Sequence, residues 1–153
     1  IMRLSKNFTL SEITKSNTAK RLGIDNAPNQ EHLNSMQILI RDLIQPMRDK
    51  LGPIRISSGY RSPELNRAIG GSTKSQHCKG QALDLQFWKK GEMCNKEIYD
   101  WVLKSGIEFD QMINEFDFAW IHISLRPDGK NRKMVLEAYK DEDGDTAYKM
   151  ADV

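Results

Sequence analysis

The sequence predicts an α+β domain, a mostly antiparallel sheet with helices packed on one of its faces. Three observations predict it. Long helical periodicity comes early, over 30–51, and returns over 91–104. Short alternating runs stand at 54–58, 82–87, 109–115, 119–125 and 134–139, the last three close together. In the runs at 82–87 and 119–125 one parity is apolar and the other carries polar or titratable side chains, so each strand buries one face and turns the other to a groove or solvent.

Taken in order, Thr9–Leu10–Ser11–Glu12 has capping-box spacing and opens a short helix. A loop of turn formers runs from Gly23 to Asn29 and contains Pro28. From Gln30 to Leu51, Leu33, Met36, Ile40, Leu43, Ile44 and Met47 recur at helical spacing as one stripe, and Pro46 should kink or end that helix. His32, on its polar lead-in, reads as a surface histidine. Gly52–Pro53 breaks the helix and Ile54–Ser58 is a strand. Ser62 is a good N-cap and Pro63 a good first residue for a helix that reaches about Ile69 and stops at Gly70–Gly71. Ser75 to Leu85 is a turn running into a strand, with Leu83, Leu85 and Phe87 on one face and Ala82, Asp84 and Gln86 on the other. Gly91–Lys104 is a second amphipathic helix, with Met93, Ile98, Trp101 and Val102 inward, ended by Gly106. Phe109–Glu115 and Ala119–Leu125 form a hairpin through Phe116–Asp117–Phe118. Pro127–Asp128–Gly129 turns the chain, Met134–Tyr139 is the last strand, and the acidic tail from about Asp141 is expected to fray.

At 153 residues, the chain is expected to be one domain, 1–153, and a monomer. Its composition, 39% hydrophobic and 29% charged, is that of a soluble globular chain, with no apolar run long enough for a membrane span. The start, Ile1–Asn7, lacks the apolar core of a signal peptide, so the chain is expected to be made without one or to have lost it. A net charge of +2 gives no footprint for nucleic acid. Cys78 and Cys94 form neither a disulfide framework nor a CxxC pair and are expected to be free thiols.

The chemistry gathers around His77 and Asp84. Asp84 stands on the polar face of its strand, and His77 stands on the turn that feeds it. In the strand 119–125, Ile121, Ile123 and Leu125 take the core face, which leaves Trp120, His122 and Ser124 on the other. His122 therefore joins Asp84 and His77. Two imidazoles, one carboxylate and an open fourth position are the usual make-up of a catalytic zinc site, so one Zn2+ per chain is expected. Such a site needs a nearby carboxylate to move protons. Counting by two, Phe109, Gln111, Ile113 and Glu115 share a face, which makes Glu115 the candidate and Asp117, in the turn, its rival. Arg61, between a strand and a helix start, can bind a substrate carboxylate or polarise a carbonyl, or else pair with Glu64. Ser75 and Gln76, beside His77, and Trp120, beside His122, are further substrate-binding candidates, as is Arg61 itself.

Ser57–Ser58–Gly59–Tyr60–Arg61–Ser62, then Ser75 through Asp84, then Trp120–Ile121–His122–Ile123–Ser124 resemble the three signatures of the zinc D-Ala-D-Ala carboxypeptidase family. Its fold is shared with phage endolysin L-Ala-D-Glu endopeptidases and the hedgehog signalling domain. The resemblance implies that His77, Asp84 and His122 hold zinc on the open side of the sheet, that Arg61 steadies substrate or intermediate, and that Ser75 lines the site. Many members place the acid three residues before the second histidine ligand, where this chain has Ala119, and a histidine where it has Trp120. The run 109–115 resembles instead the hedgehog-like branch, with the glutamate at the end of the preceding strand, which points to Glu115. The expected function is a zinc peptidase of peptidoglycan stem peptides, of D-Ala-D-Ala carboxypeptidase type. The alternatives are an L-Ala-D-Glu endopeptidase endolysin, freed to the cell wall by phage lysis, and a non-catalytic zinc-stabilised binding or phage structural module.

Overall fold

The computed structural model describes residues 2–153. β1 (Arg3–Ser5) and β2 (Phe8–Thr9) form a small ribbon, followed by α1 (Leu10–Thr14) and α2 (Asn17–Leu22). α1 opens on the expected capping box, the Thr9 hydroxyl accepting from the Glu12 N–H and the Glu12 carboxylate from the Thr9 N–H.

The long helix runs as α3 (Gln30–Leu39), a π-helical stretch Ile40–Ile44, and α4 (Gln45–Leu51). Pro46 neither ends nor breaks it. Proline has no N–H, and in an α-helix its ring meets the carbonyl one turn back. The wider π turn just before it absorbs that conflict, and the Gln45 N–H bonds the Ile40 carbonyl. Met36, Ile40, Leu43, Ile44 and Met47 are fully buried, as the stripe requires.

The main sheet has seven strands: β3 (Ile54–Ser58), β4 (Ala82–Lys89), β5 (Glu92–Met93), β6 (Gln111–Glu115), β7 (Trp120–Ser124), β8 (Met134–Lys140) and β9 (Thr146–Met150). Its order is β3-β4-β7-β6-β8-β9, with β5 beside β4, and all pairings are antiparallel except β6 with β8. Leu83, Leu85, Phe87, Met112, Ile121, Ile123 and Val135 join one core with the long helix and with Ile98, Tyr99 and Val102 of α6 (Asn95–Ser105). The helices thus cover one face. α5 (Pro63–Ala68), capped by the Ser62 hydroxyl, and a 3-10 turn at Gln76–Lys79 lie between β3 and β4.

Three expectations need correction. The tail does not fray: residues 146–150 form β9, antiparallel to β8, with Tyr148 opposite Ala138. β-branched and aromatic residues in β8 give this acidic segment a partner that local composition does not reveal. The helix expected from Gly91 begins at Asn95. Lys90 and Gly91 both have positive φ and turn β4 tightly into β5, leaving Met93 exposed opposite Trp88. The strand expected from Phe109 begins at Gln111, and Phe109 is buried in the core while Gln111, Ile113 and Glu115 face the other way.

Candidate metal centre and active site

Asp84 and His122 are direct cross-strand partners on β4 and β7. Their side chains share the face away from the helices, and the His122 Nδ1 lies 3.0 Å from the Asp84 Oδ1. His77 comes in from the 3-10 turn, only 3% exposed, with its Nε2 3.3 Å from the same oxygen. Its other nitrogen, Nδ1, donates to the Gly59 carbonyl at 2.8 Å. A carbonyl only accepts, so this bond fixes the tautomer and leaves the Nε2 lone pair aimed at Asp84 and His122.

Glycine is required at two points of this frame. A Cβ on Gly59 would collide with the Ile13 carbonyl, which receives the Tyr60 N–H. Gly80 closes the 3-10 turn in the left-handed region, and a Cβ there would meet the His32 carbonyl. His32, expected as a plain surface histidine, is half-buried and bonded to the Tyr60 hydroxyl at 2.9 Å.

The donor set fits a tetrahedral ion. All three donor atoms lie within 4.8 Å of one another. Bonds of about 2.0–2.1 Å at tetrahedral angles put neighbouring donors about 3.3 Å apart, close to both spacings around Asp84. Burial pushes the Asp84 carboxyl up, but the His122 and His77 imidazoles beside it outweigh this and hold the group well below the usual carboxylate range, ionised and ready to bind metal. Cys78, next to His77, lies outside this group, and it and Cys94 are free thiols.

A groove of about 880 Å3 opens over these residues. Glu115 forms part of its wall, 8% exposed. Its strand register sets it opposite Trp120, on the same face as Ile113 and His122. Among the described residues, its carboxylate makes no hydrogen bond or ion pair. Burial raises its pKa, the His122 imidazole draws it back, and the Asp84 charge adds to the rise. Asp117 is exposed in the turn and does not line the groove.

Arg61 lines the groove too. Its backbone is held from both sides: the buried Asn26 amide donates to the Tyr60 carbonyl and accepts the Ser62 N–H. The guanidinium meets the Ser75 hydroxyl at 3.1 Å, while its Nε is buried without a partner. The alternative pairing with Glu64 does not form among the described residues. A cation with an unused donor beside a groove is set to receive an anionic group. Ser75 and Gln76 line the groove but are already engaged. The Ser75 hydroxyl accepts from Arg61 and from the His77 N–H, and the Gln76 amide donates to Asp110 at 3.1 Å.

Asp110 is the residue that sequence reasoning missed. It is fully buried, and both its oxygens bind the Arg132 guanidinium, at 3.0 and 2.9 Å. It also accepts the Arg132 N–H. Burial pushes the Asp110 carboxyl up, and the bonds from Arg132 overcome this and hold it below its usual value. This clamp ties the His77 turn, through Gln76, to the crossing between β7 and β8. The pairing spans 22 positions, so only the strand order brings it together.

A family model described as Peptidase M15 matches residues 6–124. The chain belongs to the peptidase M15 family. It is a zinc-dependent peptidase, and His77, Asp84 and His122 form the group that can hold the metal. No curated protein matches the chain. The family match ends at Ser124, so β8 and β9, which border the groove through Leu136, Thr146 and Tyr148, lie beyond it.

Proposed function

We propose that this M15 peptidase cleaves the stem peptides of bacterial peptidoglycan at the cell wall, as a D-Ala-D-Ala carboxypeptidase. The observation that carries the reading is the pair of groove-lining charges beside the metal group that have no ion-pair partner among the described residues, Glu115 and Arg61. When bound, zinc supplies a water of near-neutral pKa and a Lewis acid. Glu115 takes the proton of the attacking water and passes it to the leaving amine, which its raised pKa suits. Arg61 receives the free carboxylate of the terminal residue, and Ser75 holds the guanidinium in place. Trp120 shields the Glu115 side of the groove from water. No step calls on Asp117.

A second reading, cleavage between L-Ala and D-Glu, is favoured by one observation: the groove, at about 880 Å3, is larger than a terminal dipeptide fills. Digesting purified peptidoglycan and weighing the products tests both. Loss of a single terminal alanine supports the carboxypeptidase, release of peptides beginning at D-Glu supports the endopeptidase, and intact wall overturns both.

A further inference from the structure

Arg61 and Tyr148 both line the groove that holds the metal group. Tyr148 lies on the edge strand β9, outside the family match. The register Glu115–Ala138–Tyr148 runs straight across β6, β8 and β9, so the tyrosine stands in the same row as the glutamate, two strand spacings or about 10 Å away. Only the small Ala138 stands between them. Phe116 and Trp120, packed edge to face with ring centroids 5.5 Å apart, line the groove near Glu115. The chain keeps Phe116 there at a cost: Phe116, Asp117 and Phe118 all have positive φ, a left-handed turn that L-residues avoid. The Asn114 side chain, on the Phe118 N–H, and the Asn95 side chain, on the Phe118 and Ala119 carbonyls, hold it.

Tyr148 has no fold duty that explains its position. It is 55% exposed, and among the described residues its hydroxyl has no hydrogen-bond partner. It lines the same groove as Glu115 and Asp84, and partial burial, with the charges of those two carboxylates, pushes its phenol up.

We infer that Tyr148, with Phe116 and Trp120, forms a subsite for the acyl side of the substrate peptide, the part retained after the leaving residue departs. The aromatic faces take an aliphatic side chain, and the Tyr148 hydroxyl bonds a peptide amide. Tyr148 is thus a positioning and specificity residue rather than a catalytic one. The assignment of sides rests on the reading above, in which Arg61 holds the leaving residue's carboxylate; the subsite itself rests on the placement of Tyr148, Phe116 and Trp120 along the groove.

The test compares a short peptide, acetyl-D-Ala-D-Ala, with a longer one, diacetyl-Lys-D-Ala-D-Ala, on the zinc-loaded protein. Tyr148→Ala should raise KM for the longer peptide roughly 3- to 10-fold, leave its kcat unchanged, and leave the short peptide unaffected. Tyr148→Phe should show a smaller part of the same shift. An equal loss on both peptides, a fall in kcat instead of a rise in KM, or no change overturns the subsite. Calorimetric binding of both peptides to the zinc-loaded protein separates the two proposals. If wild type cleaves neither peptide, the carboxypeptidase reading fails. The subsite then stands if the longer peptide binds more tightly and Tyr148→Ala removes that preference, and falls if it does not.

Discussion

On the helix side of the sheet, Leu83, Leu85, Ile121 and Ile123 are almost wholly buried and belong to the apolar core. One residue along the same strands, on the open side, stand Asp84 and His122, with Glu115 across on β6. Both faces are largely hidden from water, yet they hide opposite chemistries. The helix face has every contact it needs. Among the described residues, the open face keeps groups unsatisfied: the Glu115 carboxylate has no hydrogen bond or ion pair, and the Arg61 Nε is idle. Buried polar groups normally find partners, and those that do not mark places where a ligand completes them. The difference teaches that stability and function are divided between alternate residues of single strands, so mutating neighbours should give cleanly different phenotypes.

The largest effect should come from the open face. His122→Ala should abolish zinc binding and activity while leaving the protein folded, because its apolar neighbours Ile121 and Ile123 remain. Metal content by elemental analysis and far-UV circular dichroism read the two consequences separately. A folded variant with full zinc would remove His122 from the ligand set.

Next comes Glu115→Gln, which keeps shape and removes the proposed proton carrier. Zinc stoichiometry should hold while kcat falls by about 10²–10⁴-fold. Retained turnover would mean that the unpartnered carboxylate is not the shuttle. Arg61→Lys follows, at about 10²–10³-fold in kcat/KM, since lysine keeps the charge and loses the planar fork. A lowered melting temperature with activity spared would make Arg61 a structural cation.

Leu85→Ala asks the converse question on the helix face. Leu85 is fully buried, and truncation should cost about 2–5 kcal/mol in denaturant unfolding. Activity per folded, zinc-loaded molecule should stay near wild type. If the variant folds but loses zinc, the two faces are coupled and the division of labour fails.

How far the sequence disclosed this division depended on range. Period-two alternation located Asp84 and His122 on one face, and the capping box and the Ser62–Pro63 start were local signals that the structure keeps. The rest depended on partners far away in sequence. Asp110 looks unremarkable in a strand lead-in until the β7–β8 crossing delivers Arg132 to it. Residues 146–150 are acidic-flanked and weakly patterned, and only β8 beside them makes a strand. Asn26 and Asn95 sit in a loop and at a helix start, where asparagine is common, and their burial against backbone groups leaves no periodic mark. Pro46 marked a disruption, but its resolution by a π turn depends on the core that holds both halves of the helix in line.

The smallest expected effect lies at the seam between the two faces. Asp117 sits in the middle of the left-handed turn, exposed, with φ at 55°. Glycine adopts that conformation without the Cβ clash, and aspartate tolerates it better than most residues. Asp117→Gly should therefore raise stability by a few tenths to about 1 kcal/mol, the relieved strain being partly offset by the greater freedom of glycine in the unfolded chain. Turnover should change less than twofold, because the exposed side chain is not part of the groove's lining. Asp117→Asn, which removes only the charge, should do still less. The pair makes a sharp control for Glu115: a large activity loss in both variants at unchanged stability would transfer the proton shuttle to Asp117. It would also mean that the hairpin presents its turn, rather than the end of β6, to the metal.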